Sequence, residues 1–218
     1  MLRGRDRVID QAPLRQNRAQ LRSKHKSMDK PDPCRAAAPA ARVLQLPGWQ
    51  DSGESHWQTR WEAAYGDLRV VQNDWTWPLR GDWMARLDEV VAETGAASPL
   101  VLVAHSLGCH LVAAWAAHSG KTARVLGALL VAPPDLDRLD MPPQLHSFQP
   151  IVRARLPFPG LVVWSEDDPF CAPDQARRMA ADWGCAERPA GALGHINGDS
   201  GLGDWDEGRR WLAQLLAA

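Results

Sequence analysis

Ser106 is the side chain in this sequence best placed to do covalent chemistry. It sits in LVLVAHSLGCHLVAAWAA, residues 100–117, where an apolar run passes through a tight Ala-His-Ser-Leu-Gly turn into a second apolar run. A strand that turns sharply into a helix around a serine has the form of a nucleophile elbow. The turn lifts the hydroxyl above the sheet and points the next backbone N–H toward an oxyanion. Small residues must flank the serine for steric reasons. Gly108 keeps the second glycine of the G-x-S-x-G pattern, and Ala104 replaces the first. The bland alternative is a serine that caps the following helix. A phosphate-binding loop is excluded, because no G-x-x-x-x-G-K-[ST] spacing follows.

A hydroxyl is a weak nucleophile until a base removes its proton, so Ser106 predicts a carboxylate and then a histidine further along the chain. Both are present. After the apolar run LVVWS comes EDDPFCAP, where acidic residues fall at the C-terminal end of a strand, the edge on which doubly wound sheets build sites. Charge does not choose among Glu166, Asp167 and Asp168. Asp168 is favoured because it precedes Pro169 and has Pro173 five residues on, with Asp167 as the fallback. Among the seven histidines, only His195 combines the right order with a glycine-rich loop, GALGHINGDSGLGDW. His25 lies near the N-terminus, His105 in the turn itself, His56, His110 and His118 on predicted helices, and His146 in a loop.

The oxyanion of an attacked carbonyl needs two backbone donors. LPGWQDSG, after the first apolar run, supplies the second one. The expected donors are the N–H groups of Trp49 and Leu107, with Gly48 allowing close approach; Pro47 has no N–H to give. Trp49, Met141, Phe148, Phe158 and Phe170 fall in predicted loops at the same sheet edge and are the candidates for an apolar substrate pocket. The chemistry implied is hydrolysis of a small carboxylic ester through an acyl-enzyme, with no metal and no organic cofactor required. An amidase or acyltransferase would use the same residues, and a non-catalytic binding or scaffold protein could keep the fold without the chemistry.

These residues need a frame that brings them together. Short apolar runs at 42–46, 68–73, 100–105, 125–132 and 161–165 read as strands buried on both faces. Amphipathic stretches near 55–66, 80–94, 107–118, 173–183 and 204–216 read as helices between them. Strand and helix alternate, so the expected class is α/β with a mostly parallel sheet and helices on both faces. No internal repeat and no second domain boundary is evident.

Residues 1–41 are Arg-, Lys-, Pro- and Ala-rich with little apolar periodicity, and read as a disordered basic tail with a Pro/Ala linker ahead of a domain at 42–218. A targeting arm, or a true translation start at Met28, are the other readings of that stretch. Residues 1–28 carry eight Lys or Arg against two Asp, or +6, so the net charge of -1 leaves -7 for the rest. A mildly acidic body does not suit nucleic-acid binding. The four cysteines, Cys34, Cys109, Cys171 and Cys185, have neither C-x-x-C nor zinc spacing, which suits a reducing cytoplasm. Cys171, beside the acidic loop, is read as an apolar filler rather than a redox-sensitive thiol. No apolar run is long enough to span a bilayer or serve as a secretory signal. Neither nucleic acid nor a membrane is therefore an expected partner, and the small-molecule ester expected as partner follows from the chemistry of the site instead.

LPGWQDSGESHWQTRW, QNDWTWP, HSLG, APPDLDR, EDDPF and GHINGDSGLGDW, in that order, resemble the YdeN-type serine hydrolases, relatives of retinoblastoma-binding protein 9. The resemblance covers residues 42–216, and GHIN-x-x-SG-x-G-x-W is its most specific part. It implies an α/β-hydrolase with a sheet of about six strands and little or no lid. It also implies Ser106, Asp168 and His195 as the triad and a carboxylic-ester class of substrate. The N-terminal residues have no counterpart in the pattern, and no L-x-C-x-E segment carries over a retinoblastoma-binding role.

Overall fold

The computed structural model describes residues 41–95 and 98–217. The predicted tail, residues 1–41, lies outside them but for Ala41. Six strands form one all-parallel sheet in the order β2-β1-β3-β4-β5-β6: β1 Arg42–Leu46, β2 Leu68–Arg69, β3 Leu100–His105, β4 Val125–Val131, β5 Gly160–Trp164 and β6 Ala186–Pro189. Five helices connect and cover it: α1 Trp57–Tyr65, α2 Arg80–Glu93, α3 Leu107–His118, α4 Pro173–Trp183 and α5 Asp206–Ala217. This is the α/β-hydrolase architecture.

Alternation along the strands explains the two-sided core. In β3, Leu100, Leu102 and Ala104 face one layer, where α2, α3 and α4 contribute Trp83, Leu87, Leu111, Val112 and Met179. Val101 and Val103 face the other, against Trp57 and Trp61 of α1 and Trp211 and Leu212 of α5. A strand covered on both faces has no polar side, hence the unbroken apolar runs. Eight of the 11 tryptophans are buried, so their excess is mostly packing. The connection from β4 to β5 holds one short 3-10 helix, Pro143–Phe148, and no inserted α-helical lid.

Two edges depart from the expectation. The run 68–73 pairs only at Leu68 and Arg69 before the chain peels away after Val70, which donates to the Gln45 carbonyl. The strand β6, AERP, was not legible as one. It pairs with β5 alone and its side chains are exposed, so it carries no apolar signature. Among the described residues no helix is long and apolar enough to cross a membrane.

Candidate active site

The strand β3 delivers Ser106 to the C-terminal edge of the sheet at φ 53°, ψ −123°. A non-glycine residue at positive φ is strained, and such strain persists only where the surroundings hold it. Here the Ser106 N–H donates to Val131 O at 2.9 Å and its carbonyl accepts from Cys109 N at 2.9 Å, pinning the turn on both sides. Close packing leaves no room for larger neighbours. A Cβ at Gly108 would overlap the Leu46 carbonyl oxygen and lie 2.9 Å from that of Pro47, so α3 can leave the sheet here only from a glycine. A Cβ at Gly48 would lie 2.7 Å from Ser106 Cβ. The serine side chain makes no capping bond to α3. Its Oγ lies instead 2.9 Å from His195 Nε2.

Beyond the imidazole, His195 Nδ1 is 2.9 Å from Asp168 Oδ2 and 3.1 Å from Oδ1. The two side chains are nearly buried, 10% and 3% exposed. Phe170 N donates to Asp168 Oδ1 at 2.9 Å and so fixes the carboxylate plane. The chain thus brings together Ser106, Asp168 and His195 from the ends of β3, β5 and β6. Asp167 faces another way, and its Oδ1 accepts from Ser165 Oγ and Gly194 N. Those two bonds, Ser165 first, hold its pKa below the ordinary carboxylate value.

The segment around His195 is built by long-range contacts. Ile196, fully buried at φ 48°, plugs the layer of Trp57, Trp61, Trp205 and Trp211, and Trp57 Nε1 donates to Ile196 O at 2.8 Å. Asn197 and Ser200 form a reciprocal capping box, and Ser200 Oγ donates to Leu193 O at 2.6 Å. Leu193 N donates to Ser165 Oγ at 2.8 Å. These contacts account for Ile, Asn, Ser and Trp in the GHINGDSGLGDW stretch.

The loop after β1 is braced as firmly. Gln50 and Asp51 adopt positive φ, and Gln50 N donates to Trp75 O at 3.0 Å. Arg69 of β2 binds Asp51 Oδ1 at 2.8 Å, Ser52 O at 3.0 Å and Thr59 Oγ1 at 2.6 Å. A buried chain of polar groups runs behind them: Ser52 donates to Gln58, Gln58 to Gln45, and Gln45 to Asp67. Sequence reasoning missed Arg69, Gln45 and Gln58. The glutamine inside the apolar run RVLQL was the available signal, since a buried amide demands partners. The Trp49 indole donates to Thr76 O at 3.0 Å, but among the described residues neither the backbone N–H of Trp49 nor that of Leu107 has an acceptor.

A cavity of about 490 Å³ opens over Ser106 and His195, with Trp49, Leu107, Met141, Leu145 and Phe170 on its apolar wall. Two of the sequence-predicted pocket residues do not reach it. Phe148 and Phe158 are 1% and 8% exposed and pack in the α2–α4 layer, Phe148 edge-on to Trp83. Phe158 comes just before β5 begins, at the sheet edge opposite Ser106, and Phe148 ends the 3-10 helix with its ring turned into the core. Arg138 ties the cavity rim together with paired bonds to Asp140 and one to Pro169 O at 2.6 Å. Cys171 is buried, and its thiol is pushed up to about 12, by desolvation first and then by Asp168 and Asp135. That environment suits an inert filler.

Comparison with known proteins gives the same grouping. A YdeN-like hydrolase from Pectobacterium atrosepticum matches at 25% identity and a TM-score of 0.70, over 82% of this chain and 91% of that one. The ydeN gene product of B. subtilis matches at 18% and 0.62, over 82% and 100%. A thermophilic esterase from Thermogutta terrifontis, at 16% and 0.58 over 82% and 91%, shares the fold. No curated protein matches. The serine hydrolase family profile matches residues 43–214, and on that match the chain belongs to the serine hydrolase family, on an α/β-hydrolase fold of YdeN-like form.

Proposed function

We propose that the chain hydrolyses a small carboxylic ester, with Ser106 as nucleophile, His195 as general base and Asp168 as the carboxylate that orients it. The observation that carries this reading is the 2.9 Å approach of Ser106 Oγ to His195 Nε2, by a serine whose hydroxyl caps no helix. His195 takes the Ser106 proton as Oγ attacks the carbonyl carbon, and returns it to the departing alkoxide. Water then loses a proton to the same nitrogen, attacks the acyl carbon, and the proton passes back to Ser106 as the acid leaves. Asp168 keeps Nδ1 protonated, which leaves Nε2 free to accept. The backbone N–H groups of Trp49 and Leu107, without acceptors among the described residues, donate to the carbonyl oxygen as charge develops on it.

Ser106→Ala should lower ester turnover by about 10⁴- to 10⁶-fold with the thermal midpoint retained. A fluorophosphonate probe should label the wild type and leave this variant unmarked. Wild-type protein that the probe ignores would instead favour a non-catalytic binding role for the fold. The wall of Trp49, Met141 and Phe170 supports an acyl group of some length. In a series of p-nitrophenyl esters, kcat/KM should rise by up to about fourfold per methylene until the wall is filled. A flat response would remove these residues from the acyl site.

A further inference from the structure

His105 stands immediately before the nucleophile, buried at 4% exposure, and nothing in the proposed chemistry uses it. Its Nε2 lies 2.9 Å from the carbonyl oxygen of His195, ninety residues away in sequence, and the two rings meet edge to face at 4.9 Å. A carbonyl can only accept, so Nε2 of His105 must carry the hydrogen. The other anchors of this loop hold the neighbours of His195: Gly194 N binds Asp167, Leu193 N binds Ser165, and Ile196 O accepts from Trp57. The carbonyl of His195 itself is held by His105.

We infer that His105 is a positioning residue, which fixes the base against the nucleophile by tying the backbone of His195 to the peptide unit that carries Ser106. The inference rests on the roles proposed for those two side chains. Its physical logic is mechanical. The strand β3 is buried throughout and paired on both sides, so a donor one residue from the nucleophile ties the loop bearing the base to the centre of the sheet. The donor must stay neutral to avoid raising a second positive charge beside the imidazolium of the transition state. Burial does this, and the groups that face it are imidazoles: His56 at the start of α1, with ring centroids 4.6 Å away, and His195. His105 is thereby held well below the ordinary histidine pKa, and His56 is lowered to about 3 by its own burial, with Arg69 and His195 adding to the effect.

The test compares His105→Leu, which fills the site without a donor, with His105→Gln, whose amide nitrogen reaches nearly as far as Nε2. Rates are taken per active site, by titration with a fluorophosphonate. His105→Leu should lose about 10- to 100-fold in kcat, as expected for a base displaced by a fraction of an ångström, with KM within about twofold. His105→Gln should recover most of that loss. A readout independent of turnover is the downfield proton resonance of the His195 Nδ1–H bonded to Asp168. It should be sharp in the wild type and in His105→Gln, and broadened or lost in His105→Leu. Should His105→Leu not fold, His105→Asn replaces it, since its amide is too short to reach the carbonyl. Full per-site kcat and an unchanged resonance in the donor-less variant would overturn the inference, as would a His105→Gln variant equally impaired. If the wild type resisted the fluorophosphonate, the proposed function would fail, while the resonance comparison would still decide the role of His105.

Discussion

Asp167 and Asp168 are adjacent carboxylates of equal charge whose surroundings give them different work. Asp168 is turned inward onto His195 Nδ1, and among the described residues its carboxylate otherwise accepts from the backbone N–H of Phe170. Asp167 is turned along the loop, where it joins Ser165 to Gly194 and so sets the height of the segment that leads to His195. Asp168→Asn should lower kcat by about 10⁴-fold, because an amide favours the wrong imidazole tautomer. Asp167→Asn should cost far less, since its amide oxygen can still accept from Gly194 N. Steady-state kinetics of the two variants separates the roles, and the opposite ranking would move the orienting carboxylate to residue 167. The sequence named both positions and preferred the second for its proline context; which one faces inward depends on backbone direction at the end of β5.

At the scale of elements, the elbow exists because β1 and α3 come closer than most side chains permit. Gly108 is the contact point, and Gly48 gives the loop after β1 the same closeness to Ser106. Gly108→Ala should destabilise the protein by about 1–3 kcal/mol, the usual range for an added methyl in a packed site. For a chain of this size, a midpoint lower by several degrees should appear in differential scanning fluorimetry, at about 2–4 °C per kcal/mol. An unchanged midpoint would mean the helix can slide away from β1. This constraint was visible in the sequence as the second glycine of the motif. The bracing of the neighbouring loop by Arg69 and the Gln45–Gln58 pair was not, because it joins residues from β1, β2 and α1 whose spacing follows no local period. The strand β6 escaped for a related reason: an exposed edge strand buries nothing that would mark it.

At the scale of the molecule, three buried histidines among the described residues are kept neutral by folding. Desolvation lowers His56 to about 3 and His110 to about 4, and takes His105 well below its ordinary value of 6.5. The unfolded chain binds protons at these sites near pH 6.5 and the folded chain does not. Stability from this source is therefore complete above that pH and is lost as pH falls. Between pH 6.5 and 5 each such histidine should cost about 1.4 kcal/mol per pH unit once the unfolded ring is charged. Urea midpoints at pH 7, 6 and 5 should fall accordingly. His110→Gln, which keeps a donor for Pro134 O, should remove one histidine's share of the slope. A midpoint independent of pH over this range would show that the folded state takes up the protons itself. The depressed carboxylates Asp74, Asp88, Asp140 and Asp167 act below that window, since the stability they lend is complete above 3.8 and is lost as pH falls through their lower folded values.

What the sequence settled by itself was whatever short-range chemistry dictates: alternating strands and helices from apolar periodicity, a serine in a turn only small residues can make, and an acid and a histidine in the order such a turn demands. Tertiary structure decided the rest. Phe148 and Phe158 belong to the core because a buried 3-10 helix face takes the first and the second precedes β5 at the edge away from Ser106, placements that no local period marks. The loop of His195 reaches Ser106 because buried tryptophans, Ser165, Asp167 and His105 hold it there across the sheet. Contacts between residues so far apart in sequence are set by which surfaces the packed layers bring together.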